Sequence, residues 1–515
     1  MKFLSRSLDT SNLMLLKTYY DSGTKDFSTP DDVLDIVYKD IDTGKQYIET
    51  IVNPKVEIYI VKPEYRTFNY YKNFVNIDIC DRYLVPYKSR YSEIAKVLGC
   101  KPSEAKYSKY VYQIDLDVEH YYMIQFYLEY TDNESQKPLS LGFSDIESDI
   151  IATVGFAEPG EAPTNAISYF NESTKDMYTL VCIQDNVPHV DETHKKYEVY
   201  EKLRDSFRKQ TQHFIDNLDK FIEECNKDFE PSYGKIDYHV LVFEDEISMF
   251  KAYWSIVHNC ANDYAFFWNA PYDMSNLIER PKVLGYDPNT FIPSPSFGER
   301  NVWWYEDKNA TVHKRKHVFN TYTTTTFMDQ MVNYAGVRSG KGKLPSNKLN
   351  AIAKKELKDE KLDYSEFGDI RMFPYMDWWR FIKYNIKDVL LQAGIERKTM
   401  DASYIYTLLS NFCIKTSEIF TSTTIVANSL RVFAYEKGHQ LMSSNKNKLF
   451  KVEKTEEELK EAKKNKFAGA FVMNTAHTTS TGFKLLGLLN KYIHDNGIDF
   501  DITSEYLYGY SLKWL

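Results

Sequence analysis

Cysteine is sparse in this chain of 515 residues: six, at Cys80, Cys100, Cys182, Cys225, Cys260 and Cys413, none in a C-x-x-C pair. That scatter excludes a zinc ribbon and gives no disulfide framework, which fits a reducing compartment. Long apolar runs are also missing. The N-terminus carries Lys2 and Arg6 but only a four-residue apolar run, Leu13 to Leu16. Neither a signal peptide nor a membrane span of ~20 apolar residues is expected, and the expected location is cytoplasmic. Positive charge is in deficit, with 64 Lys and Arg against 73 Asp and Glu and a net charge of −9. That balance argues against a surface coated in basic residues for duplex binding, and any grip on nucleic acid is expected to be local or to lie in a partner. Gly340-Lys341-Gly342-Lys343 lacks the four residues between glycines and the Ser/Thr ending of a phosphate-binding loop, which argues against nucleotide hydrolysis. No internal repeat or long low-complexity segment is present.

The bulk composition is that of a folded protein, 43% hydrophobic and 27% charged, and the length suffices for two or three domains. The 41 Tyr and 31 Phe are mostly core filler, with some free to stack on bases. Residues 1 to about 130 read as strand-rich, with a hairpin turning at Asp42-Thr43-Gly44 and a further strand from Val56 to Val61. From 131 to 400, strands near 141–146, 178–184, 238–243 and 264–268 alternate with helical runs, an α/β pattern. A charge-rich stretch from Asn171 to Lys235 reads as an insertion, and Arg338 to Pro345 as a loop before a helix. Trp303-Trp304-Tyr305, the polar Asp307-Lys308-Asn309 and the basic run His313 to His317 read as strand, turn and strand of a β-hairpin. Beyond 401 come more helical stretches, and Thr455 to Lys466 reads as a solvated helix.

Three short acidic words follow one another: Phe143-Ser144-Asp145-Ile146-Glu147, Asn269-Ala270-Pro271-Tyr272-Asp273 and Tyr384-Asn385-Ile386-Lys387-Asp388. Asp145 and Glu147, two apart on a strand, project from one sheet face while Ile146 faces the packed side. Asp273 follows the apolar run Tyr264 to Trp268 across a turn marked by Asn269 and Pro271, and opens a helix to Val283. Such a strand-to-helix corner is where α/β sites sit. Tyr384 and Asp388 lie one turn apart in a helix from Trp378 to Arg397 and share a face. Four carboxylates converging on one pocket repel and raise one another's pKa values unless cations neutralise them, so the set predicts bound divalent metal. Oxygen-only ligands favour Mg²⁺ or Mn²⁺ over zinc. Two such ions about 3.5 to 4 Å apart can activate a water and stabilise the leaving oxygen of a phosphodiester.

In this order and context the words resemble the three exonuclease motifs of family B DNA polymerases, most closely the T-even bacteriophage type. Phe266 to Arg280 is similar to that family's second motif region. Leu349-Asn350-Ala351-Ile352-Ala353 and Leu362-Asp363-Tyr364 resemble the stretch leading to the third. Asn428-Ser429-Leu430 and Lys466 to Val472 look like the link to the polymerase domain, and Asp499 to Tyr506 like the first polymerase motif. The resemblance runs over nearly the whole chain, most loosely in the first hundred residues. It implies a strand-rich N-terminal domain at 1–130, a ribonuclease H-like 3′ to 5′ exonuclease domain at 131–400, and linker helices with the beginning of a polymerase palm at 401–515. It implies that Asp145, Glu147, Asp273 and Asp388 hold two Mg²⁺ or Mn²⁺ ions, that Tyr384 positions the attacking water, and that Asn269 contacts the terminal nucleotides. Asp501 would be a polymerase metal ligand, and Tyr506 would pack under the incoming sugar. The hairpin would help move a primer end into the exonuclease site.

The chain departs from the family pattern in places. Asn269 stands four residues before Asp273 where T-even relatives have five, and Glu505 and Leu507 replace the Leu and Pro of the polymerase motif. The fingers helix, the Asp-Thr-Asp of the palm and the thumb do not follow Asp501. The expectation is therefore the N-terminal subunit of a split family B polymerase, acting on a primer-template and a single-stranded 3′ end in the cytoplasm, that of a bacterial host if the chain is phage-encoded. A separate C-terminal chain would complete it and connect it to a sliding clamp. The alternatives are a stand-alone exonuclease on single-stranded DNA and a non-catalytic nucleic-acid-binding regulator.

Overall fold

Tyr264-Ala265-Phe266-Phe267 is a short run without a polar face, the pattern of a strand buried on both sides. In the computed structural model it pairs in parallel with Leu141–Ser148 on one side and Thr326–Asp329 on the other. These belong to a six-stranded sheet ordered Asp237–Phe243, Asp176–Cys182, Thr164–Asn171, Leu141–Ser148, Tyr264–Phe267 and Thr326–Asp329. Only Thr164–Asn171 runs against its neighbours, so the protein is mixed α/β with a mostly parallel sheet. The structure describes residues 13–441 except 24–30, 68–73, 131–137, 154–156, 299 and 342–343. Asp501, Tyr506, the Thr455 to Lys466 run and the Asp499 to Tyr506 word lie outside the described residues.

Strand Thr164–Asn171 escaped the sequence reading for a physical reason. Its eight residues are all buried, yet four are polar: Thr164, Asn165, Ser168 and Asn171. Their polar groups are matched inside the sheet, Ser168 Oγ against Thr179 Oγ1 at 3.1 Å and Asn171 Oδ1 accepting from Asn262 at 3.1 Å, so neither alternation nor an apolar run marks the strand. The Asn171 to Lys235 stretch, expected to be an insertion, is built into the core. It contains the sheet strand Asp176–Cys182, and its two helices, Tyr197–Asp216 and Leu218–Tyr233, bury Phe207, Phe214, Phe221 and Phe229 in the main core while their charges face out.

The sheet lies between two groups of helices. On one side the helix Trp378–Thr399 brings Trp378, Phe381, Ile382, Ile386 and Val389 into the core with Phe143 and Phe266. On the other, Glu246–Cys260 and Ala270–Val283 pack against Ile146, Ala265 and Phe267. Gly142 lies where a larger residue would not fit, because a Cβ there would meet the Tyr169 hydroxyl and Asn262 Oδ1, which bond each other at 2.6 Å. Gly142→Ala is expected to destabilise by about 1–3 kcal/mol, through overpacking within the site strand, as read by urea unfolding.

The predicted N-terminal hairpin is present: Val33–Asp40 pairs with Gln46–Val52, and Asp40 Oδ1 accepts from the N–H groups of Asp42 and Thr43 at 2.9 Å each. A buried ion pair, Lys39 Nζ to Asp263 Oδ2 at 2.7 Å, ties that sheet to the start of the Tyr264–Phe267 strand. The second hairpin differs from its sequence reading. Trp303–Tyr305 pairs with Val318–Asn320, but the basic run falls in the connection, where Val312–Lys314 is a 3₁₀ turn. Val312 packs with the Trp268, Met331 and Tyr334 cluster, and that apolar anchor bends the connection onto the protein. Among the described residues no helix is long and apolar enough to cross a membrane.

Candidate metal centre

Strand order reverses at Leu141–Ser148, whose neighbours leave in opposite directions along the sheet, and ligands of α/β sheets bind outside the carboxyl ends of strands at such a switch point. Asp145 and Glu147 lie in the carboxyl half of that strand, and Asp273 follows the end of the next. Alternation places both strand carboxylates on one face, with Ile146 buried in the opposite core. Trp378–Thr399 crosses over that face and delivers Asp388. Carboxylate oxygens of Asp145, Glu147 and Asp388 lie within 4.8 Å of one another, a triad that could hold a metal ion.

Asp273 sits just outside this triad. Its Oδ1 accepts from the N–H of Ile146 at 3.2 Å, the residue between the two strand acids, and its charge raises the Asp145 carboxyl. The helix carrying it begins at Ala270, three residues earlier than the sequence suggests, because Asn269 turns the chain in the left-handed region (φ 66°) and Pro271 fits the first turn. The helix is fixed by a buried ion pair, Arg280 Nη2 to Glu246 Oε1 at 2.6 Å, and by Asn276 donating to Thr164 Oγ1 at 2.8 Å.

The acids are strongly perturbed. Burial, then Asp388, Asp273 and Glu147, lift Asp145 well above the carboxylate range. Burial, followed by Asp388, pushes Glu147 up to about 8. Burial also raises Asp388 and Asp273. Lys361 answers this cluster directly: its Nζ pairs with Asp388 Oδ2 and donates to Tyr384 Oη at 3.1 Å, while Lys387 adds a weaker charge near Asp388. Lys361 is held charged, its pKa raised chiefly by Asp388 against the effect of burial. Asn385 donates to Asp145 Oδ2 at 3.0 Å. Asp388 Oδ1 is buried without a hydrogen-bond partner, which is the lone pair a cation would take. Several mutually raised acids, one unsatisfied oxygen and all-oxygen donors fit a hard divalent ion.

The structure thus brings together Asp145, Glu147, Asp273, Tyr384 and Asp388 from the three sequence words. Asn269 is exposed at the rim of an adjoining groove of about 1240 Å³, which is also lined by Trp268, Lys361, Tyr364, Tyr384 and Lys387. Sequence reasoning missed Lys361, which lies in a loop with no periodic signal; only its place beside the quoted Leu362-Asp363-Tyr364 could have drawn attention to it. It also missed Tyr272, 44% exposed beside Asp273, and Asp329, buried at the end of the neighbouring strand. Lys361→Ala would leave Asp388 without its counter-ion, and is expected to cost about 1–3 kcal/mol of metal-free stability, less than a fully buried pair because the lysine is partly exposed. Saturating Mg²⁺ should recover part of the loss, as measured by denaturant unfolding with and without the ion.

Compared with protein-family models and with curated proteins, the chain matches none.

Proposed function

We propose that this chain is a metal-dependent 3′ to 5′ exonuclease of ribonuclease H-like architecture, of the proofreading kind that family B DNA polymerases carry. The observation that carries the reading is the Asp145, Glu147 and Asp388 triad, with Asp388 Oδ1 unsatisfied, at the switch point of the sheet. The sheet supports the architecture: an antiparallel run of three strands, extended by a fourth at its far edge, and two parallel strands added beside the first.

Asp145, Glu147 and Asp388, with Asp273 beside them, would hold two Mg²⁺ or Mn²⁺ ions, and such ions make a water nucleophilic and offset charge on the scissile phosphate and its leaving oxygen. Tyr384 keeps its proton at neutral pH, since burial and the nearby Asp388 raise its pKa, so it is a hydrogen-bonding group for water beside Asp388. Lys361, charged and at the groove wall, faces the phosphate backbone. Trp268 and Tyr364 line the groove of about 1240 Å³, and Tyr272 offers a ring to a terminal base. A negative overall charge is compatible with this local grip, because Lys348, Lys361 and Lys387 line the groove.

A 5′-labelled single-stranded oligonucleotide incubated with the purified chain and Mg²⁺ should shorten stepwise from its 3′ end, and EDTA should stop it. Digestion that persists in EDTA, or internal cuts, would contradict the assignment. The wider reading, in which a partner chain carrying fingers, remaining palm and thumb completes a polymerase, rests on the sequence resemblance. Co-expression followed by primer extension tests it, and equal nuclease rates with and without the partner would favour a stand-alone enzyme.

A further inference from the structure

Asp329 closes the strand beside Tyr264–Phe267, paired with Phe267, at the same carboxyl edge as the site acids. Its Oδ1 accepts from Val332 N–H at 3.1 Å and caps the helix Gln330–Val337, while the N–H groups of Met331 and Asn269 bear on the same carboxylate. A single buried side chain thus caps a helix and lies on the strand paired, at Phe267, with the one that leads into the left-handed corner from which Asp273 is launched. Its other oxygen, Oδ2, has no hydrogen-bond partner.

That oxygen looks at His317, the last residue of the basic run. The two side chains are each 3% exposed, and His317 Nε2 lies 3.7 Å from Asp329 Oδ2. His317 Nδ1 accepts from Asp307 N–H at 3.2 Å, so in the neutral ring the proton sits on Nε2, the nitrogen nearer the carboxylate. Nε2 is likewise without a partner. The gap is longer than a hydrogen bond by under 1 Å, and a buried donor and acceptor this close gain by closing it. His317 is fixed to the hairpin connection by Asp307 and stacks near Phe319. A chain of neighbours therefore runs from the hairpin through His317, across the 3.7 Å gap to Asp329, to the Asn269 corner, then one helical turn to Asp273, whose Oδ1 binds the N–H between Asp145 and Glu147.

We propose that Asp329 is a positioning residue of the metal site, setting the Asn269 corner that aims Asp273, and that His317 acts through Asp329 to couple the hairpin to it. This rests on the exonuclease reading above. Partners of this kind tune ligands they do not replace, and their loss costs about 10- to 100-fold in metal affinity or activity.

Mn²⁺ binding followed by electron paramagnetic resonance tests the proposal apart from activity. Asp329→Ala should weaken binding about 10- to 100-fold, and Asp329→Asn, which keeps an oxygen acceptor, should recover most of that loss. His317→Ala should weaken binding less, and the double variant should bind no more weakly than Asp329→Ala alone, because one residue acts through the other. Native affinity in Asp329→Ala, with only a lowered melting temperature, would overturn the positioning role and leave a helix cap. Strictly additive losses would overturn the coupling. If the alanine variant does not fold, His317→Ala carries the test, since it leaves the cap intact: weakened binding supports the path and native affinity overturns it. Unchanged Mn²⁺ binding in Asp145→Ala with Glu147→Ala would instead remove the metal site itself, so the two failures are distinct.

Discussion

Replacing Asp145 and Glu147 together by alanine is expected to lower the rate of 3′-terminal hydrolysis by about 10³-fold or more, a loss of about 4 kcal/mol in barrier height. Both side chains are half-buried in the acidic pocket, and the packing of their strand is done by Phe143 and Ile146, so the substitutions remove chemistry and leave the core in place. The same variant should be at least as stable as the natural protein when no divalent ion is present, because two members of a mutually raised cluster are gone. A site that stores repulsion for function gains stability when the function is removed. Single-turnover digestion of a labelled oligonucleotide, paired with thermal unfolding in EDTA, reads both effects. Loss of activity accompanied by a large loss of stability would point to a structural role for the pair.

The second large effect is a divalent-ion stabilisation that grows with pH. Glu147 is raised from 4.5 to about 8 by burial and then by Asp388. Between those values the folded, metal-free protein holds a proton that the unfolded chain has released. Stability then falls as pH rises, since the native state binds more protons. The contribution is fully present below the unfolded pKa and is lost on passing through about 8. Asp145, Asp273 and Asp388 are raised as well and act in the same direction. A divalent ion takes the place of those protons, so Mg²⁺ should stabilise little at pH 5 and strongly at pH 8, by about 2.7 kcal/mol at 100 times its dissociation constant. Melting curves in EDTA and in Mg²⁺ across that range measure it. An Mg²⁺ effect independent of pH, or equal in the Asp145→Ala, Glu147→Ala variant, would contradict the assignment of these acids as ligands.

What could be read from the sequence was what local pattern encodes. Tyr264 to Phe267 announces a doubly buried strand, Asp145 and Glu147 share a face by simple alternation, and the apolar stripe of Trp378–Thr399 sets which way Asp388 points. Less visible were features set by long-range matching. Strand Thr164–Asn171 carries four buried polar residues whose partners come from elsewhere in the chain. The charges between Asn171 and Lys235 hid two helices whose aromatic residues occur at helical spacing. At the site, Lys361 and Asp329 reach the acids through loop geometry and strand order, which no window along the chain contains. The basic run was read as a strand because its residue types allow one, whereas Val312 anchors it as a turn.

Crystals grown with Mn²⁺ and a short single-stranded oligonucleotide, with diffraction recorded near the manganese absorption edge, test the central claim most directly. Two anomalous peaks about 3.5 to 4 Å apart, held by Asp145, Glu147, Asp273 and Asp388 with the 3′-terminal phosphate against them, are the predicted result. Nucleic acid bound elsewhere, with no anomalous density between Asp145 and Asp388, would contradict it.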